Sequence, residues 1–207
     1  MGIGDWGLGI RYSFTLRQYF PLIGNDKLTL AYRLNYEGTL GKDAPFYVLP
    51  YITVMGDWYD RDGMGGYRTV RGLMRDRVIG LDMVSYNLEL RWRFVRFQAF
   101  NQNIALGLNL FSDGTMVTRG RDMTYKGPVY DAIPNPRYLD YRRSIPSDRQ
   151  KDTPHITAGA GLRFIMNENF IVAFEYGSPI SHFYNKSHPL YNQDGTGAFY
   201  INTGYLF

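Results

Sequence analysis

The sequence predicts an all-β protein, a transmembrane antiparallel β-barrel of about eight strands, and three observations carry that prediction. Segments of roughly ten residues alternate between apolar and polar side chains, the period of a strand whose two faces meet different surroundings. Tyr, Phe and Trp number 18, 13 and 3 and make up 16% of the chain. Such an excess suits girdles of aromatic side chains at two membrane interfaces. The segment 198–207 places Phe199, Ile201, Thr203, Tyr205 and Phe207 on one parity, and a closing strand that faces lipid has a use for a terminal phenylalanine.

Composition bounds the alternatives. The 207 residues suit one domain, 1–207, large enough for a single barrel. Mean hydropathy is −0.32, and no run approaches the ~20 apolar residues of a spanning helix. A barrel escapes that test because its inward half is polar and lowers the average. A carbohydrate-binding β-protein would also be rich in aromatic residues. Cysteine is absent, which removes disulfides, thiolate chemistry and cysteine-based metal sites; no cofactor is expected. A net charge of +4 is too modest and scattered to predict nucleic acid as a partner. Met1-Gly2-Ile3-Gly4-Asp5 has neither the basic start nor the apolar core of a leader peptide. Membrane residence therefore implies a mature form or fragment, with Met1 an added residue.

The elements follow in order. Residues 8–20 set Leu8, Ile10, Tyr12, Phe14, Leu16 and Phe20 against Arg11, Ser13, Thr15 and Arg17, and a turn at Pro21–Asp26 follows. Residues 27–37 oppose Leu28, Leu30, Tyr32, Leu34 and Tyr36 to Lys27, Thr29, Arg33, Asn35 and Glu37. Residues 86–94 oppose Tyr86, Leu88, Leu90, Trp92 and Phe94 to Asn87, Glu89, Arg91 and Arg93. Residues 104–112 oppose Ile104, Leu106, Leu108 and Leu110 to Ala105, Gly107 and Asn109. Segments 155–165 and 170–177 form a hairpin across Asn167-Glu168-Asn169, and 198–207 is the last strand. Segment 45–55 is either an eighth strand, weakened by Pro50, or part of a long loop. Short connections (21–26, 98–103, 167–169) alternate with long ones (38–85, 113–154, 178–197), as in a barrel with short periplasmic turns and long extracellular loops. A soluble sandwich would show the same local alternation, with the apolar parity turned inward.

One motif carries a family resemblance. Gly65-Gly66-Tyr67-Arg68-Thr69-Val70-Arg71-Gly72-Leu73 resembles the Gly-Gly-x-x-x-Val-Arg-Gly-aromatic signature of the BamA/TamA-type outer-membrane assembly family (bacterial surface antigen superfamily). Ala44-Pro45-Phe46-Tyr47, Asn87–Arg91, Phe111–Val117, Ala158–Phe164, Phe174–Gly177 and the terminal strand are similar, in the same order, to segments of the C-terminal half of that family's barrel. Two departures stand out: Leu73 replaces the aromatic residue, and the glycine after the strand aspartate is shifted to Gly114.

The resemblance implies half of a sixteen-stranded barrel, or a small barrel derived from it, with no POTRA domain in these residues. It implies bacterial outer-membrane residence with both termini periplasmic, and a role in the assembly, insertion or translocation of proteins there. A minimal structural or interaction barrel without insertase activity is the other function it allows. It implies that the loop arginine, Arg71, folds into the lumen against Glu89 and Asp113, and that Phe199, Ile201, Tyr205 and Phe207 form a C-terminal assembly signal. Glu89 and Asp113 also fall on the polar, inward parity of their strands. The bland reading makes Arg71 a surface-loop residue beside solvated carboxylates.

No enzyme is expected. His155, His182 and His188 lack metal-ligand spacing. With Asp122, Asp131, Asp140, Asp194 and Ser144 or Ser181 they could supply a hydrolase at the loop end, but nothing fixes their spacing. Gly63–Gly66 lacks the Lys-Ser/Thr of a phosphate loop. The basic tract 119–151 suits contact with lipopolysaccharide phosphates. Expected partners are outer-membrane lipids and lipopolysaccharide, either a second copy or the remainder of a larger barrel, and other outer-membrane proteins as substrates. An eight-stranded barrel has an interior just filled by side chains, so a sealed monomer conflicts with a loop folded inside it.

Overall fold

Alternation along the chain becomes seven antiparallel strands in a single open sheet with the order β1-β2-β3-β4-β5-β6-β7. They are β1 (Ile10–Ile23), β2 (Leu28–Leu40), β3 (Asp82–Ala99), β4 (Gln102–Arg119), β5 (His155–Met166), β6 (Phe170–Pro179) and β7 (Ala198–Thr203). A short 3-10 turn, Ile180–Phe183, follows β6. The computed structural model describes residues 10–24, 27–40, 63–75, 77–119, 153–187 and 194–204. Segment 45–55 lies outside the described residues. β2 pairs directly with β3, from Leu28↔Trp92 to Gly38↔Asp82, so the sheet has no strand between them. The expectation of about eight strands thus becomes seven among the described residues.

The polarity of the sheet is the reverse of a soluble protein's. Leu34, Leu88, Trp92, Leu110, Phe174 and Tyr176 are exposed, and Leu162 and Ile201 reach 57% and 65%. On the opposite face Arg33, Asn87, Glu89, Asn109, Asp113, Arg163 and Glu175 are buried. A water-soluble sandwich would bury the first set and hydrate the second. Hydrocarbon outside and a polar interior account for both sets.

β3 and β4 run for 18 residues each, well beyond the ~9–11 that cross a bilayer and beyond the expected 86–94 and 104–112. Their extra length carries inward apolar residues, Met83 on β3 and Val117 on β4, both buried. They pack in one cluster with Met64, Val70, Leu73 and Val78 of the preceding connection. Because an apolar group covers the inner face there, the polar alternation stops while the strands continue. A register shift between Arg93 and Val95 also moves the outward set to odd positions, pairing Val95 with Leu106 and Phe97 with Ile104.

Turn chemistry fixes the short connections. Phe100 and Asn101 have φ of 53° and 57°, the left-handed pair that a two-residue hairpin needs. Asn167 and Glu168 have φ of 50° and 62° between β5 and β6. The longer connections, β2–β3, β4–β5 and β6–β7, all leave from the other end of the sheet. Since β1 and β7 are both odd members of an alternating series, they run in the same direction. β1 therefore begins at the long-connection end and β7 finishes at the short-turn end. Residues 1–9 and 205–207, on which the expectation for the termini rests, lie outside the described residues.

Candidate functional site

Residues 63–75 and 77–81 fold back over the polar face as an irregular hairpin. Met64 and Val78 exchange backbone hydrogen bonds of 2.9 and 3.0 Å, and Gly66 N–H donates to Leu73 O at 3.1 Å. Thr69 braces the tip by accepting from Gly65 N–H at 2.8 Å and donating to Gly65 O at 2.9 Å. Gly65 has φ +131°, and a Cβ there would lie 2.0 Å from Met74 O, so only glycine closes this turn. Gly72, with φ +92°, lies flat against β6, where a Cβ would stand 2.8 Å from Gly177 C. Gly177 in turn presents no side chain to the hairpin. Two glycines meeting back to back let the tip reach the sheet wall.

That approach carries Arg71 to the centre of the concave face, where its side chain has no exposed surface. Asp113 of β4 receives a fork of two hydrogen bonds, Nε to Oδ2 at 2.8 Å and Nη2 to Oδ1 at 3.0 Å. The Arg71 backbone N–H also donates to Asp113 Oδ2 at 3.0 Å. Nη1 lies 2.6 Å from Glu89 Oε1 of β3 and 3.1 Å from Glu175 Oε2 of β6. The guanidinium stacks 3.7 Å above the Phe111 ring, adding a cation–π contact in a dry setting. Carboxylates from strands as far apart as β3 and β6 converge on one cation only because the sheet is curved.

Further contacts balance the charge. Arg91 Nε lies 2.7 Å from Glu89 Oε2, and Arg163 Nη2 bridges Glu89 at 3.3 Å and Glu175 at 3.0 Å. Arg71, Arg91 and Arg163 thus face Asp113, Glu89 and Glu175, three cations to three anions. Asn109 Nδ2 donates to Glu175 Oε1 at 2.9 Å. Burial opposes the charge on Arg71, but the charge and hydrogen bonds of Asp113, followed by the charges of Glu89 and Glu175, raise its pKa above the ordinary arginine value. An ion cluster of this kind holds a loop at a fixed depth.

The tip is anchored on both flanks. Toward β2 and β3, Arg33 Nη2 donates to Arg68 O at 3.2 Å and Asn87 Nδ2 to Thr69 O at 2.7 Å. Toward β7, Gly72 N–H donates to the Tyr200 hydroxyl at 2.9 Å.

The motif residues Gly65, Gly66, Val70, Arg71, Gly72 and Leu73 therefore form one tip, with Val70 and Leu73 buried in its apolar cluster, and Glu89 and Asp113 both meet Arg71. Sequence reasoning missed Glu175, Arg163, Asn109, Phe111 and Tyr200 as partners. Inward parity marks most of them as lumen residues, but only strand register reveals which share the arginine's level. Phe199 and Ile201 face outward on β7, while Tyr205 and Phe207 lie outside the described residues.

Of the candidate hydrolase groups, Ser144, His188, Asp122, Asp131 and Asp140 lie outside the described residues. His155 Nδ1 lies 2.6 Å from Asp194 Oδ1, and Ser181 Oγ donates to Asp194 Oδ2 at 3.3 Å. The carboxylate takes the middle position, whereas a nucleophilic relay places the imidazole between serine and acid. His182 makes an edge contact with Phe183. Among the described residues, no group of three or more His, Cys, Asp or Glu could hold a metal ion.

No family model and no curated protein matches the chain in sequence. Among solved structures it superposes on BamA from Haemophilus ducreyi lacking POTRA domains 1-3, with a TM-score of 0.55 and 18% identity over 92% of this chain. The match takes in 34% of that structure, so the chain spans about a third of its length. Seven strands in one open, curved antiparallel sheet, superposable on that barrel protein, give this chain the fold of a partial β-barrel of the BamA kind.

Proposed function

We propose that the chain is a section of a bacterial outer-membrane barrel that takes part in the assembly, insertion or translocation of other outer-membrane proteins. The observation that carries this reading is the reversed polarity of the sheet combined with its two edges, unpaired among the described residues. Apolar side chains are exposed along the outer face, suited to lipid and to lipopolysaccharide acyl chains. Among the described residues, strands β1 and β7 each have one neighbour, leaving rows of backbone donors and acceptors that can template an incoming strand. The BamA-like fold and the buried loop arginine are consistent with that role.

Strand parity favours the remainder of a larger barrel over a second copy. β1 and β7 point the same way, so antiparallel closure needs an odd number of intervening strands running opposite to both edges. A copy of this sheet in the same membrane orientation would meet each edge in parallel. Phe199, Ile201, Tyr205 and Phe207 serve, on this reading, as the signal by which the chain itself is inserted. Deleting Phe207 is expected to impair insertion in cells more than refolding in detergent.

The test is insertion by the purified chain. Refolded into lipid vesicles, it is expected to speed the folding of a urea-denatured eight-stranded outer-membrane barrel relative to empty vesicles. Correct insertion of the chain without any acceleration would overturn the assembly role and leave a structural barrel.

A further inference from the structure

We propose that the 63–81 hairpin is a transverse strap that holds the open sheet at barrel curvature without closure by hydrogen bonds. Closed barrels fix their curvature by joining first and last strands, and this sheet has no such joint among the described residues. The hairpin supplies another route, because its tip is tied to β2, β3, β4, β6 and β7 within five residues, Arg68 to Gly72.

Geometry makes the strap diagnostic of curvature. Five strand spacings separate β2 from β7, about 24 Å on a flat sheet. A stretch from residue 68 to residue 72 spans at most about 14 Å when fully extended. Strand side chains stand roughly perpendicular to the sheet, so Arg33 and Tyr200 both reach this stretch only if the sheet bends toward it. The Gly72–Gly177 contact leaves the tip no slack on the β6 side. Releasing the tip should let the two edges move apart, and an intact strap keeps them at the spacing that a completing set of strands requires.

Distance measurement between the edges tests this. The chain contains no cysteine, so Phe14→Cys on β1 and Ile201→Cys on β7 accept spin labels without background; both positions are exposed. Pulsed electron-spin distances on the full chain in detergent are expected to be narrow in the parent. They should widen by at least one strand spacing, about 5 Å, in Arg71→Ala. The double variant Glu175→Ala with Tyr200→Phe removes the side-chain ties of the tip to β6 and β7 and leaves the Asp113 fork in place, so it decides the matter if Arg71→Ala fails to fold. It too should widen the distribution. An unchanged distribution in the double variant overturns the strap, whatever Arg71→Ala does, because anchoring to the last strands would then be immaterial to curvature. The proposal stands on sheet geometry and is independent of any insertase activity.

Discussion

Arg71 and Arg119 make nearly the same contact in two different regions. Each arginine forks onto an aspartate, Arg71 onto Asp113 at 2.8 and 3.0 Å and Arg119 onto Asp82 at 2.6 and 2.8 Å. The first pair has no exposed side-chain surface, whereas Arg119 and Asp82 at the long-connection end retain 38% and 10%. Hydrogen-bond geometry is therefore held constant while access to water changes. The difference teaches that contact quality does not set the consequence of losing a partner; the solvent available to the survivor does. At the rim, Asp82 keeps the hydrogen bond from Thr39 N–H, and truncating the partly exposed Arg119 lets water reach it. At the centre, Asp113 would lose its fork while still buried, and Arg91 and Arg163 would be left to hold Glu89 and Glu175.

The strongest way to break the comparison is to remove each arginine in turn. Arg71→Ala is expected to cost about 3–5 kcal/mol, the range for stranding buried charge, read as a fall in the urea midpoint in detergent. Arg119→Ala should cost no more than about 1 kcal/mol, since the exposed Arg119 side chain is screened by solvent. Equal losses would mean that the centre is hydrated. On the opposite face, Leu162→Arg is expected to cost about 2–4 kcal/mol in vesicles if it sits near the bilayer midplane. A silent change there would remove the lipid-facing assignment.

Double-mutant cycles sharpen the comparison further. Arg71→Ala with Asp113→Ala should show a coupling energy above about 1 kcal/mol and up to about 3 kcal/mol. Arg119→Ala with Asp82→Ala should stay within about 1 kcal/mol. Additive effects at the centre would show that the hairpin leaves the concave face in solution.

The smallest expected effect concerns Asp194, in the β6–β7 connection. Burial pushes its pKa up, but the His155 hydrogen bond and the charges of His155 and Arg77 pull it below its ordinary 3.8. A depressed carboxylate stabilises the fold above its unfolded pKa, and that contribution is lost as pH falls through the folded value. Asp194→Asn should therefore lower stability at neutral pH and narrow its deficit to the parent below about pH 4. A deficit that stays constant down to pH 2 would exclude this linkage.

The strands were legible because alternation survives wherever one face meets lipid and the other meets charge. It failed where the hairpin replaces charge with an apolar cover, so Met83 and Val117 hid the outer reaches of β3 and β4. Arg71, Glu89 and Asp113 were accessible from a motif and from inward parity. Glu175 lay on the same parity yet could not be placed beside Arg71, because period-2 patterning gives the face of a residue and not its height along the barrel axis. Tyr200 was obscured for another reason. Its neighbours Phe199 and Ile201 face outward, and only the strand pairing Glu175↔Tyr200 turns its hydroxyl toward the hairpin.

The meeting of Gly72 with Gly177 also constrains how this sequence can vary. Most packed pairs can trade volume, one residue growing as its neighbour shrinks. These two are already at the smallest size, so neither can compensate a change at the other. A library of variants selected for a seated hairpin should be depleted of every replacement at both positions independently, with no rescuing combinations between them. The hairpin and the penultimate strand, distant in sequence, thus share a site that drift can destroy in a single step and cannot cross by paired exchange.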